Sequence, residues 1–68
     1  TVLKIVEAFR NGTQNEANFW LNFRGRLIYV RYFAVRDAQK NYKGVIEMSQ
    51  DITDIKTIEG ERRLLEWE

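Results

Sequence analysis

Neither cysteine nor histidine occurs among the 68 residues. Without cysteine the chain can form no disulfide, no thiolate zinc site and no covalent cysteinyl–flavin adduct. Without histidine it loses the commonest metal ligand, haem ligand and general base. An excess of either charge is missing too. Eleven Lys and Arg stand against ten Asp and Glu, a net charge of +1, which argues against a nucleic-acid partner and against an acidic tail. No apolar run approaches the roughly 18 residues of a membrane span, and no signal peptide is visible. The missing cysteine is compatible with a cytoplasmic protein.

These absences leave little room for an enzyme. Only carboxylate, Lys or Tyr chemistry remains, and no pair of carboxylates is placed by spacing for that work. The length allows one small domain. At this size folding buries only about 60% of the unfolded surface, so the core is marginal and association with a second copy is the remaining way to strengthen it. The chain has no initiator Met and opens directly in an amphipathic pattern, as expected of a piece of a longer protein.

What is present is a run of clear periodicities. Val2, Ile5, Val6 and Phe9 recur at helical spacing and predict a helix over residues 1–11, ended by Asn11-Gly12. From Asn15 the period becomes two, giving a strand over about 15–23. Arg24-Gly25 is a two-residue turn, and a second strand rich in aromatic and β-branched residues follows over 26–36. Asp37 to Asn41 is turn-forming, with Asn41 the best candidate for a left-handed position. A third strand is expected over 42–50, with Gly44 a candidate bulge. Asp51 or Thr53 can cap a last helix over about 53–67, with Ile52, Ile55, Ile58 and Leu65 as its apolar seam. Gly60 weakens that helix by about 1 kcal/mol relative to Ala.

The two-residue turn sets the hairpin register: Phe23 opposite Arg26, Leu21 opposite Ile28, Phe19 opposite Val30 and Ala17 opposite Tyr32. One sheet face then carries Ala17, Phe19, Leu21, Ile28, Val30, Tyr32 and Ala34. The other carries Trp20, Leu27, Tyr29, Arg31, Phe33 and Val35, with Asn18 and Asn22. Both are apolar enough to need cover.

Val35-Arg36-Asp37, Asn41-Tyr42-Lys43-Gly44 and Asp51-Ile52-Thr53-Asp54 together resemble the C-terminal core of PAS domains. In that family a polar turn joins the last two strands and a triplet of this type starts a signalling helix. A narrower set resembles a PAS-like prokaryotic family often joined to hemerythrin-type cation-binding domains. It comprises Glu7-Ala8-Phe9-Arg10-Asn11-Gly12, Phe19-Trp20, Arg31 to Asp37 and Glu59 to Leu65. The resemblance implies an α+β fold: the central helix and last three antiparallel strands of a PAS domain, followed by an exit helix. The first two strands of a complete PAS domain are not represented, so the third strand is expected to have an open edge. The haem, flavin and chromophore signatures of ligand-binding subfamilies are absent, and no cofactor is implied.

The resemblance also assigns the faces. It points Ser49, two residues before the triplet's Asp, toward the inner side, and alternation brings Glu47 and Val45 with it. Val2, Val6 and Phe9 of the helix are expected to cover this side. Tyr32, Glu47 and Ser49 are then the candidate ligand-binding residues, for a cationic or hydrogen-bonding small molecule. The plainer alternative has Glu47 at the sheet rim or paired with a nearby base. Trp20, Leu27, Tyr29, Phe33, Ile46 and Met48 fall on the outer face as the candidate partner interface. A nucleic-acid stacking platform is disfavoured there by the near-zero charge. Arg24, Arg26, Arg31 and Arg36 do not converge and read as scattered surface charge. The resulting expectation is a sensing or protein-interaction module, partnered by a second copy and by neighbouring domains of its own chain, with ligand-free structural dimerisation as the alternative. The second copy is expected at the outer face, the third-strand edge, or both.

Overall fold

A computed structural model describes residues 1–65 and Trp67. The element order is a helix, α1 (Val2–Arg10), then strands β1 (Glu16–Phe23), β2 (Arg26–Arg36) and β3 (Tyr42–Asp51), and a single 3-10 turn at Ile55–Thr57. The sheet is antiparallel in the order β1-β2-β3, so β2 is central and β1 and β3 each have one free edge.

Local chemistry explains each junction. Gly12 at φ 81° ends α1, with Thr13 N donating to Ala8 O (3.0 Å) and Gly12 N to Phe9 O (3.3 Å). That pair of bonds is a Schellman cap, and it satisfies two carbonyls the helix leaves open. Arg24 and Gly25 both have positive φ, as a type I′ hairpin requires. The pairing that follows has Phe19 opposite Val30 and Ala17 opposite Tyr32, the register implied by the turn.

The β2–β3 turn corrects one expectation: the left-handed residue is Lys40, at φ 69°, and not Asn41. The Asp37 carboxylate is the reason. Its Oδ1 accepts from both Gln39 N and Asn41 N at 2.9 Å, while Asp37 N donates to Asn41 O. Asn41 is thereby held as the first residue opposite Asp37, and the reversal falls on Lys40. Just beyond, Val35 pairs with Gly44 but Arg36 with Tyr42, so Lys43 is the extra residue of a bulge. The bulge shifts the alternation by one residue. It puts Tyr42 on the same face as Val45, Glu47 and Ser49.

That shared face holds the core. Phe9, Val30 and Tyr32 are buried, with Ile5, Ala17, Phe19, Ile28, Ala34 and Tyr42 packed around them. Burying a side chain such as Phe9 contributes about 1.5–3 kcal/mol. Val2, expected in this layer, is 47% exposed; Ile5, one helical turn closer to Phe9, takes its place.

The exit helix is the main correction. Among the described residues after Asp51 only Ile55–Thr57 turns helically, and Gly60 sits at φ 71°; Glu66 lies outside the described residues. An isolated helix of this length is marginal in water unless an apolar face is buried. Here Ile55 and Ile58 of the predicted seam are 46% and 73% exposed, too little burial to hold a helix in water. Asp51 and Thr53 do not cap a helix either. Asp51 Oδ1 accepts from Thr53 N (3.0 Å) and Thr53 Oγ1 (2.7 Å), and Thr53 Oγ1 accepts from Leu27 N (2.8 Å). Ile52 N donates to Leu27 O (2.8 Å). The triplet fastens the end of β3 to the start of β2.

Candidate functional site

The inner-face candidates fall together. Tyr32 pairs with Glu47 and Val30 with Ser49 across β2 and β3, so Tyr32, Glu47 and Ser49 share one face. Ser49 Oγ donates to Glu47 Oε1 at 3.0 Å. Tyr32 is buried and stacks against Phe19, with ring centroids 6.2 Å apart. Burial pushes the Tyr32 phenol above its ordinary value, and the Glu47 carboxylate beside it adds to the rise. Glu47 and Ser49 themselves are exposed, because β3 is uncovered from Val45 onward. Among the described residues Glu47 makes no ion pair. Glu47 and Ser49 therefore lie on the open part of the inner face, beside the buried Tyr32, with the carboxylate at the rim.

The outer-face candidates form a denser group. Register places Trp20 beside Tyr29, Arg31 beside Met48, and Phe33 beside Ile46. Trp20 and Tyr29 approach with centroids 6.4 Å apart. The Arg31 guanidinium lies 5.6 Å from the Tyr29 ring centre and 5.8 Å from that of Phe33, which are cation–π distances. Leu27, Tyr29 and Phe33 are half-buried, whereas Trp20, Ile46 and Met48 are 64%, 52% and 47% exposed. A shallow hollow of about 190 Å³ lies against Asn18, Tyr29, Arg31 and Phe33. No carboxylate lies within ion-pair distance of Arg31 among the described residues.

Two arginines read as scattered charge have specific work. Arg36 Nη2 donates to Phe9 O (2.6 Å) and Gln14 O (3.2 Å), and its Nε to Asn15 Oδ1 (2.9 Å). It ties the end of α1 and the following loop to the central strand. Arg26 Nε donates to Asp51 Oδ2 at 2.7 Å, and its Nη2 lies 3.5 Å from Asp54 Oδ2. Arg26 and then Thr53 hold the Asp51 carboxyl down to about 2, and Asp51 raises the Arg26 guanidinium in turn. The Asn41 and Gln39 N–H groups likewise hold the Asp37 carboxyl below its ordinary value, Asn41 foremost. The Arg26 partnership had a sequence signal, since the hairpin register sets Arg26 at the end of the strand where β3 arrives. The Arg36 anchor had none, because its acceptors are main-chain carbonyls.

Among the described residues no group of three or more Asp or Glu converges to hold a metal ion, and no helix is long and apolar enough to cross a membrane.

Residues 1–53 match the family described as PAS domain. A crystal structure described as the C-terminal domain of a protein from Streptococcus mutans is similar at a TM-score of 0.72 and 38% identity. The match covers 81% of this chain and 42% of that one, so the chain spans less than half the length of that protein. No curated protein matches.

Proposed function

The chain belongs to the PAS domain family, and from that premise we propose that it is a non-enzymatic interaction module of a signalling protein. Its docking surface is the outer sheet face and its partner is a second copy. The observation that carries this reading is the exposure of Trp20, Ile46 and Met48 around Arg31 on one side of a sheet whose other side holds the core. Exposed apolar groups clustered on one face are the usual mark of an interaction site. Aromatic, Met and Arg side chains are also the types enriched where proteins meet. A two-fold dimer covers such a face with its own copy. The free edge of β3 offers a neighbouring contact.

Sedimentation equilibrium tests the proposal. The full chain should show a concentration-dependent monomer–dimer equilibrium in the micromolar range, and Trp20→Ser with Met48→Lys should shift it to monomer without unfolding. A folded wild-type monomer of constant mass across a wide dilution range overturns the reading.

A second reading rests on Glu47 and Ser49, exposed on the inner face beside the buried Tyr32. These groups suit a small cationic or hydrogen-bonding ligand, which would make the module a sensor. Ligand-dependent protection of the Tyr32 and Glu47 amides from exchange would favour it over docking alone.

A further inference from the structure

The end of the molecule where α1 meets the β2–β3 turn carries an excess of positive charge, Arg10, Arg36, Lys40 and Lys43 against Asp37. An open hollow of about 590 Å³ lies there, lined by Gly12, Asn15, Ala34, Arg36 and Lys40. Its size falls within the range of small-molecule sites. Arg36 is oriented by its hydrogen bonds to Phe9 O, Gln14 O and Asn15 Oδ1, all made through Nε and Nη2. Among the described residues no acceptor lies within hydrogen-bond distance of Nη1, so its two N–H groups are the uncommitted donors of a fixed guanidinium. Arg10 adds to the cluster from α1: its guanidinium lies 6.0 Å from the centre of the Tyr42 ring, and that of Arg36 lies 5.9 Å from the same ring.

Arg10, Arg36 and Lys40 have no carboxylate within 4.0 Å among the described residues. The adjacent acid, Asp37, is occupied by the N–H groups of Gln39 and Asn41 and by Lys43 at 3.7 Å. Lys40 is also held at φ 69°. Such a conformation is uncommon for a residue other than Gly, Asn or Asp, and it is found more often at ligand-binding positions. A pre-oriented guanidinium and an ammonium lining one hollow match the charge and geometry of an oxyanion.

We propose that this hollow binds a small oxyanion carrying two negative charges, with Arg36 as the oriented donor, Lys40 as the second cation and Arg10 supporting the local potential. The proposal is independent of docking on the outer face. Phosphoryl groups and dicarboxylates share the required chemistry, and the test separates them. The full ¹⁵N-labelled chain is titrated with inorganic phosphate in one arm and succinate in the other, with ionic strength held constant by sodium chloride. Saturable shifts of the Gly12 and Lys40 amides and the Arg36 Nε–H are expected with at least one anion, and the arm that saturates identifies the source. Lys40→Asn keeps a residue that tolerates positive φ and removes the charge. It should weaken binding about tenfold, the equivalent of one hydrogen bond to a charged group. Arg10→Gln, on the exposed side of α1, is the second variant and should weaken binding to a smaller degree. Non-saturating shifts matching those of sodium chloride, or wild-type affinity in both variants, overturn the proposal.

Discussion

Phe9, Val30 and Tyr32 are buried on one side of the sheet, while Trp20, Ile46 and Met48 on the other side stay about half exposed or more. The two faces are built from alternating residues of the same strands and are similarly apolar. They differ in what lies over them. A nine-residue helix ended at Gly12 and anchored by Arg36 reaches only the inner side. The outer side would need a second element, and among the described residues after Asp51 only Ile55–Thr57 forms a 3-10 turn. Strand pattern therefore decides which residues share a face, whereas the length and anchoring of the covering element decide which face becomes core.

The largest expected effect comes from emptying the covered side. Phe9→Ala removes the one fully buried side chain among the described residues and should cost about 3–5 kcal/mol, enough to unfold most of so small a domain. Trp20→Ser with Met48→Lys should abolish association yet leave the urea midpoint nearly unchanged when measured at dilutions where the wild type is monomeric. Equal losses of stability from both variants would erase the distinction between the faces.

Acid should loosen the sheet end before it reaches the core. The Asp51 carboxyl is held down to about 2 from an ordinary 3.8. Its contribution is therefore complete above about 3.8 and is lost as pH falls from there through about 2. Asp51→Asn should flatten stability against pH across that window, measured by chemical denaturation at stepped pH. An unchanged slope would mean that the Arg26–Asp51–Thr53 fastening adds nothing to folding.

The smallest effect belongs to Glu47. As a rim carboxylate its replacement by Gln should move stability by less than about 0.5 kcal/mol. A marked stabilisation would instead show a carboxylate held away from water without a partner.

The parts of this fold legible in the sequence were those governed by short-range rules. A two-residue turn with a glycine fixed the hairpin register down to Phe19 opposite Val30, and alternation with the family resemblance put Glu47 and Ser49 beside Tyr32. What escaped depended on main-chain acceptors or on packing partners. A bulge was expected at Gly44, but Gly44 pairs regularly with Val35 and the extra residue is Lys43, which moves Tyr42 to the inner face. Arg36 found carbonyls of Phe9 and Gln14 that only the folded chain brings near. The seam of Ile52, Ile55, Ile58 and Leu65 had helical spacing, but Ile55 and Ile58 stay largely exposed, and spacing without burial does not make a helix. Lys40 in place of Asn41 at the reversal follows from the reach of the Asp37 carboxylate, a three-body arrangement that residue preferences alone miss.

The most direct test of the two-face account is the concentration dependence of the NMR spectrum, from micromolar to millimolar protein. The account predicts that the Trp20 indole, the Arg31 and Phe33 amides and the Met48 methyl shift together as the chain associates, while Phe9, Tyr32 and Ser49 stay fixed. Shifts confined to Tyr32, Glu47 and Ser49, or a spectrum that does not change with concentration, would contradict it.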